Sequence, residues 1–231
     1  MELRTDDNFI SKQSNWVFDE QVAPHFDEHV RKSVPHYDLV QTLAESFSDW
    51  FTSDGCTVID FGASTGETLS RIKARHSKNL NLVAYDNSQA MIEEAKKKGI
   101  DITFADLEKP LEFPKCSYAV ALYTLQFLHP EARRTLLKRI YQKLDNSGGL
   151  FVVEKVVGST PLVHDILQQL YWDMKAENGF TTEQIFNKAR ALRGCMHIKS
   201  VAENEQEFKE IGFIPEIVFK ESQFAGWLLI K

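Results

Sequence analysis

Cysteine is scarce and never paired. The three residues, Cys56, Cys116 and Cys195, lie far apart, and no C-x-x-C occurs. That speaks against a zinc knuckle or a disulfide framework and fits a reducing cytoplasm. Long apolar runs are missing too. The longest, near "YAVALYTLQFL", is too short and interrupted to span a bilayer, and no membrane partner is expected. The first residues, "MELRTDDNFISKQ", are polar and acidic, unlike a secretory signal. A basic excess is absent: net charge is −6, with acids and bases mixed along the chain. Direct nucleic-acid binding is therefore not expected. Metal-ligand clusters are also lacking. His25 and His29 stand one helical turn apart, but no third ligand is marked, so they read as surface histidines on an amphipathic helix and no metal is expected.

What is present is core material and a clear rhythm. The 231 residues include 16 Phe and 4 Trp, enough for one domain spanning 1–231. A helical cap is predicted over 1–54. Pro24 opens a short helix, and Pro35 suits the first turn of the next. In that helix Leu39, Val40, Leu43, Ala44, Phe47, Trp50 and Phe51 form an apolar stripe. Then strands and helices alternate: "CTVIDFG", "LNLVAYD", "IDITFAD", "YAVALYT" and "GGLFVVEK" read as strands, with helices between most of them. In the second of these helices Glu93 and Glu94 precede Lys97 and Lys98 by four residues, and Gly99 sits at a carboxyl-terminal cap. This alternation means a parallel sheet covered on both faces. A helical insert over 158–212 follows, with helices at 161–177, 182–193 and 201–211, the last opened by a Ser200/Glu203 capping box. Two strands, "FIPEIVFKES" and "FAGWLLIK", close the chain as an antiparallel hairpin. The predicted fold is α/β and Rossmann-like, with a mostly parallel seven-stranded sheet.

The loop "VIDFGASTGETL" admits two chemistries. From Gly62 to Gly66 it spells G-x-S-x-G, which in a nucleophile elbow would make Ser64 the attacking group. Only helical sequence precedes this strand, however, and none of His129, His164 or His197 sits in a distinctive setting for a triad. From Asp60 the same loop spells D-x-G-x-S-x-G, a turn that brings backbone N–H groups close to a ligand. Asp86 ends the second strand twenty residues beyond Gly66, where an acid can hold both hydroxyls of a ribose. Asp106 ends the third. A dinucleotide loop would need Gly or Ala where Glu67 stands, a poor neighbour for a pyrophosphate. Acids without a phosphate cradle suit a ribosyl ligand with a positive centre, such as S-adenosylmethionine (SAM).

The loop, the strand end "AYDNSQAMI" and the "AD" turn resemble the Rossmann-like SAM-dependent methyltransferases. The chain is closer still to one branch, the carboxy-S-adenosylmethionine synthases of the tRNA wobble-uridine pathway. That similarity runs through "WVFDEQVAPHFDEHVRKSVPHY", "TLQFLHPEARRTLLKRIYQKLDNSGG", "VVEK" and "MKAENGFTTEQI". The resemblance implies that Tyr37 lies near the amino-acid end of SAM. It implies loop contacts from Gly62, Ala63 and Ser64, ribose contacts from Asp86 and Asn87, and adenine contacts from Asp106 and Leu107. Leu122 occupies a cofactor position that the branch fills with asparagine. Ala189 stands where the branch carries an arginine for the product's extra carboxylate; Arg190 is next to it, turned by about 100° on a helix.

Three functions are compatible with these residues, and the sequence favours the first, because Ala189 stands where the branch carries its carboxylate-pairing arginine. The first is SAM-dependent methyl transfer to a small-molecule acceptor, with S-adenosylhomocysteine as the demethylated cofactor. The second is synthesis of carboxy-SAM, the carboxyl group coming from prephenate. The third is a non-catalytic SAM-binding partner. Arg31, Tyr123, Trp172 and Arg190 are candidates for the substrate side, and no catalytic residue is named. Glu154, at the end of the fifth strand, either faces the pocket or caps it. The helix at 161–177 carries Val163, Ile166, Leu167, Leu170, Tyr171 and Met174 on one side, as core or dimer interface, and the branch resemblance implies a homodimer.

Overall fold

The computed structural model describes Glu20 and residues 22–231. The remainder of the predicted cap, residues 1–19 and 21, lies outside the described residues. Pro24 sits in a 3-10 turn, Ala23–His25, that leads into α1 (Phe26–Ser33). α2 (Tyr37–Phe51) starts later than Pro35 suggests, because His36 takes a left-handed conformation (φ 52°) and breaks the path before it. The core follows: β1 (Thr57–Phe61), α3 (Glu67–Arg75), β2 (Asn81–Asp86), α4 (Gln89–Lys97), β3 (Thr103–Phe104) and β4 (Cys116–Leu122). Then come α5 (Pro130–Lys143), β5 (Leu144–Val157), α6 (Pro161–Glu177), α7 (Thr182–Ala191), β6 (Lys199–Ser200), α8 (Val201–Ile211), β7 (Ile214–Glu221) and β8 (Phe224–Ile230).

The sheet order is β3-β2-β1-β4-β5-β8-β7. The first five strands run parallel; β8 lies antiparallel to β5 and to β7, which makes the expected hairpin. Two-residue β6, which the sequence pattern does not announce, pairs with β5 beside the sheet. Because helices cover both faces, the central strands are apolar on both sides. On one face α2, α3 and α4 bring Val40, Ala44, Leu69, Ile72, Ile92 and Ala95 against Val58, Tyr118 and Phe151. On the other, α5 and α8 bring Leu136, Leu137, Ile140 and Phe208 against Ile59, Val152 and Trp227.

Local signals explain most element ends. Ser88 caps α4, with its side chain accepting from Met91 N–H. Gly99 (φ 71°) ends it, and Ile100 N–H reaches back to Ala95. The lysines of α4 pair one residue closer than expected, Glu93 with Lys96 and Glu94 with Lys97. Lys98 is thereby released to bond Asp27 and Thr65. Both residues of the Ser200/Glu203 capping box make their bonds. α7 stops at Ala191 rather than 193. In the α2 stripe, Leu39 and Trp50 face outward, Trp50 with 85% of its surface exposed.

Candidate functional site

The carboxyl ends of β1, β2, β4 and β5 open into a cleft of about 710 Å³, roofed by α1, α6 and α7. The β1–α3 turn forms its floor. Gly62 (φ 82°) must be glycine for two reasons: its backbone is left-handed, and a Cβ there would collide with the Thr124 side chain. Gly66 (φ 74°) lets the start of α3 approach Ile100, whose Cβ would stand 3.0 Å from an added methyl. Ser64 is also left-handed (φ 50°). Its N–H donates to Asp86 Oδ2 at 2.8 Å, and Ser88 N–H donates to Asp86 Oδ1 at 2.8 Å. Asp86 thus clamps the loop to β2 while each oxygen keeps acceptor capacity toward the cleft. Burial raises its pKa, although the hydrogen bonds from Ser88, Ser64 and Asn87 oppose the shift.

Asp60, just before the loop, is 2% exposed and lines the cleft. Its Oδ2 has no protein hydrogen-bond partner, and burial, reinforced by Asp86, raises its pKa to about 8. A buried carboxyl oxygen left without a partner fits a ligand that brings positive charge or donors. Tyr37 lies on the opposite wall, stacked on Tyr123 with ring centres 6.0 Å apart. The Tyr123 hydroxyl, also buried, has no protein partner either. Asn87, Leu107 and Leu122 complete this half. These groups fit SAM: acids for its ammonium and sulfonium, an acid and an amide at the strand end for the ribose, apolar surface for the adenine.

The far half is basic. Lys155, near the end of β5, and Lys175, on α6, line the wall beside Tyr171. Their ammonium groups lie 4.9 Å and 4.3 Å from the centre of its ring. Lys188, on α7, contacts His29 Nε2. His29 is buried, not a surface histidine as the helix pattern suggests, and packs edge-on against Phe180. Burial, followed by the charges of Lys188, Lys175 and Lys32, drives its pKa down to about 2, so it is neutral. Trp172 and Ala189 also line this half. Among the described residues, no group of three or more His, Cys, Asp or Glu gathers as a metal site.

The structure brings most of the sequence candidates together: Tyr37, Gly62, Ala63, Ser64, Asp86, Asn87, Leu107, Leu122, Tyr123 and Trp172 all line one cleft. Three do not join the lining. Asp106 turns back, accepting from Glu108 N–H and pairing with Lys109 at 3.3 Å. Arg31 is held at the rim by Asp38 and Glu67, each at 3.0 Å. Arg190 lies over Phe186, 5.8 Å from its ring centre, as the 100° turn from Ala189 requires. Glu154 neither faces the pocket nor caps it. Strand alternation sends it to the other side of β5 from Lys155, where Arg133 holds both its oxygens at 2.6 and 2.7 Å. Sequence reasoning missed the unpartnered oxygen of Asp60 and the lysines. The only available signal was a lysine ending the otherwise apolar run "GGLFVVEK".

Among the described residues no helix is long and apolar enough to cross a membrane. Residues 58–148 match the family model described as a methyltransferase domain. A carboxy-S-adenosyl-L-methionine synthase of Staphylococcus epidermidis is 33% identical over 222 residues, covering 94% of this chain and 97% of that protein. One of Nautilia profundicola is 35% identical over 230 residues, with 96% of each chain covered. Among solved structures, one from Methanococcus maripaludis assigned to the SAM-dependent methyltransferases superposes with a TM-score of 0.61, at 19% identity and 96% coverage of each chain. Human N-acetylserotonin methyltransferase, solved in complex with SAM, gives 0.55 at 15% identity, over 92% of this chain and 55% of that one. The structural likenesses establish the fold; the full-length sequence similarity goes further, and by it the chain belongs to the carboxy-S-adenosyl-L-methionine synthase family, SAM-dependent transferases built on the methyltransferase fold.

Proposed function

We propose that this protein is a carboxy-SAM synthase. The ring carboxyl of prephenate leaves as the ring aromatises, with loss of hydroxide, to give phenylpyruvate. That carboxyl replaces one proton on the methyl carbon of SAM, and the proton and the hydroxide form water. The observation that carries this reading is the division of charge in one cleft: Asp60 and Asp86 at one end, Lys155 and Lys175 at the other. A cation and a carboxylate-bearing partner fit such a cleft together better than a neutral methyl acceptor does. The names of the full-length relatives support the same reaction.

In this proposal Asp86 and Asn87 hold the ribose, Leu107 borders the adenine, and Gly62, Ala63 and Ser64 offer backbone and space. Asp106 contributes through the turn that it fixes rather than through direct contact. Tyr37, Tyr123 and Asp60 surround the sulfonium end. The positive sulfur of bound SAM makes the attached methyl group open both to nucleophilic attack and to loss of a proton. What this chain's residues add is alignment and exclusion of water, since Tyr37, Tyr171 and Phe224 close the cleft with apolar surface. The protein is proposed to act in the cytoplasm as a homodimer, its product serving tRNA wobble-uridine modification without direct RNA contact.

Methyl transfer is the second reading, favoured by one observation. Ala189 leaves the wall of the cleft without a guanidinium, and Arg190 is turned onto Phe186. Incubation with SAM and prephenate, followed by mass spectrometry of the bound and released nucleosides, separates the readings. Carboxy-SAM is expected. S-adenosylhomocysteine from an added acceptor, with no carboxy-SAM, would replace the proposal with methyl transfer. Retained SAM without any turnover would point to a binding protein.

A further inference from the structure

The two lysines beside Tyr171 raise a separate question. Lys175 is only 6% exposed, and Lys155 is half-buried. Among the described residues neither ammonium meets a carboxylate or a hydrogen-bond acceptor; the face of Tyr171 is their shared neighbour. Tyr171 is itself fixed, its hydroxyl donating to Ser33 O at 2.9 Å and its ring lying edge-on to Phe224. Among the described residues, the one other buried cation is neutralised. Arg133, 1% exposed, is matched by Glu154, Glu207 and Asn204. Buried charge without a counter-ion is costly and is retained where a ligand supplies the missing charge.

Topology keeps the cleft's own acids away from them. Asp60 is next to last in β1, Asp86 ends β2, and Glu67 begins α3. Lys155 lies two residues before the end of β5, two strands across the sheet from β1, and Lys175 descends from α6. We infer that Lys155 and Lys175, braced on the ring of Tyr171, form the subsite that binds a carboxylate group of the co-substrate. This rests on the carboxyl-transfer reading for the identity of that co-substrate, and it assigns anion recognition to two lysines while Ala189 supplies no charge. The chemistry selected is an organic carboxylate, seated opposite the sulfonium pocket. Burial, and for Lys155 the neighbouring Lys175 charge, lowers both lysine pKa values, that of Lys175 to about 8; a bound anion would reverse this.

The test is calorimetric titration of the SAM-loaded protein with prephenate and, as a minimal probe, with malonate. Wild type is expected to bind both. Lys175→Gln and Lys155→Gln should each weaken anion binding by about tenfold or more, the loss of one charge-assisted contact. SAM affinity in the same variants should change less than about twofold, which also shows that they fold. Lys175→Arg should recover most of the anion affinity. Unchanged anion binding in both glutamine variants, or no anion binding by wild type, would overturn the assignment. Should wild type bind the anions through these lysines yet form no carboxy-SAM, the subsite stands and the carboxyl-transfer reading falls. Should carboxy-SAM form equally well in the variants, the reverse holds.

Discussion

Asp60 shows how a single side chain links sequence to binding. It lies within an apolar strand, so its carboxyl is carried into the interior by the burial of Val58, Ile59 and Phe61. Burial, and then repulsion from Asp86, raises its pKa to about 8, so at pH 7 the free protein holds it mostly protonated. A cationic ligand favours the ionised form and must lower that value. Binding of SAM at pH 7 is therefore expected to release a proton, approaching one per site. Affinity should rise with pH until about 8 and then level off with respect to this group. Calorimetry in buffers of different ionisation enthalpy measures the release directly. Asp60→Asn should abolish it and weaken SAM; a variant that still releases the proton would assign it elsewhere. Ser64, by contrast, offers no sign of nucleophile chemistry. Its hydroxyl lies 3.5 Å from the Met91 sulfur, with no base beside it, and its N–H serves the Asp86 clamp.

At the scale of elements, the β1–α3 turn is where fold and site meet. Gly62→Ala places a methyl group into Thr124, 2.9 Å from its Cβ and closer still to its Oγ1 and Cγ2, at a left-handed φ of 82°. Overpacking and the wrong backbone region together should cost about 2–4 kcal/mol. Adding Thr124→Gly should return the packing share but not the backbone share. Urea denaturation of the two single variants and the pair gives the coupling; strictly additive losses would mean that the two residues do not meet. Elements of this kind were legible in the sequence because their causes are local. Capping residues, alternating strands and the glycine turn all act within a few residues, and α6 and α8 start and stop where the sequence pattern places them. β3 shrinks to two residues because it lies at the sheet edge, where neighbours rather than pattern decide its length. The acid half of the cleft was legible for the same reason, since it lies on consecutive strand ends. The lysine half was not. Lys155, Lys175 and Lys188 converge from β5, α6 and α7, and only tertiary packing shows that the first two lack counter-ions.

The whole molecule leaves one face unexplained by its own core. The α6 stripe expected from the sequence is divided by packing. Tyr171 and Met174 turn inward against the β-sheet, whereas Leu162, Ile166 and Leu170 face outward, with Phe186 of α7 exposed as well. These side chains are 49–70% exposed, on the two helices that also roof the cleft. Apolar surface gathered on adjacent helices is more costly than the same residues scattered singly, and pairing two copies would remove it from water at about 25 cal/mol per Å². A second copy seated there would also brace the roof that carries Lys175. Light scattering at micromolar concentration is expected to give twice the monomer mass of 26.5 kDa. Ile166→Glu combined with Leu170→Glu, both on the exposed side, should shift the protein to monomer and leave its circular dichroism unchanged. If the roof depends on pairing, the monomeric variant should also bind co-substrate more weakly while holding SAM on the β1–α3 loop. A wild type that is monomeric under these conditions would remove the dimer, and α6 would then have to be stable with that stripe in water.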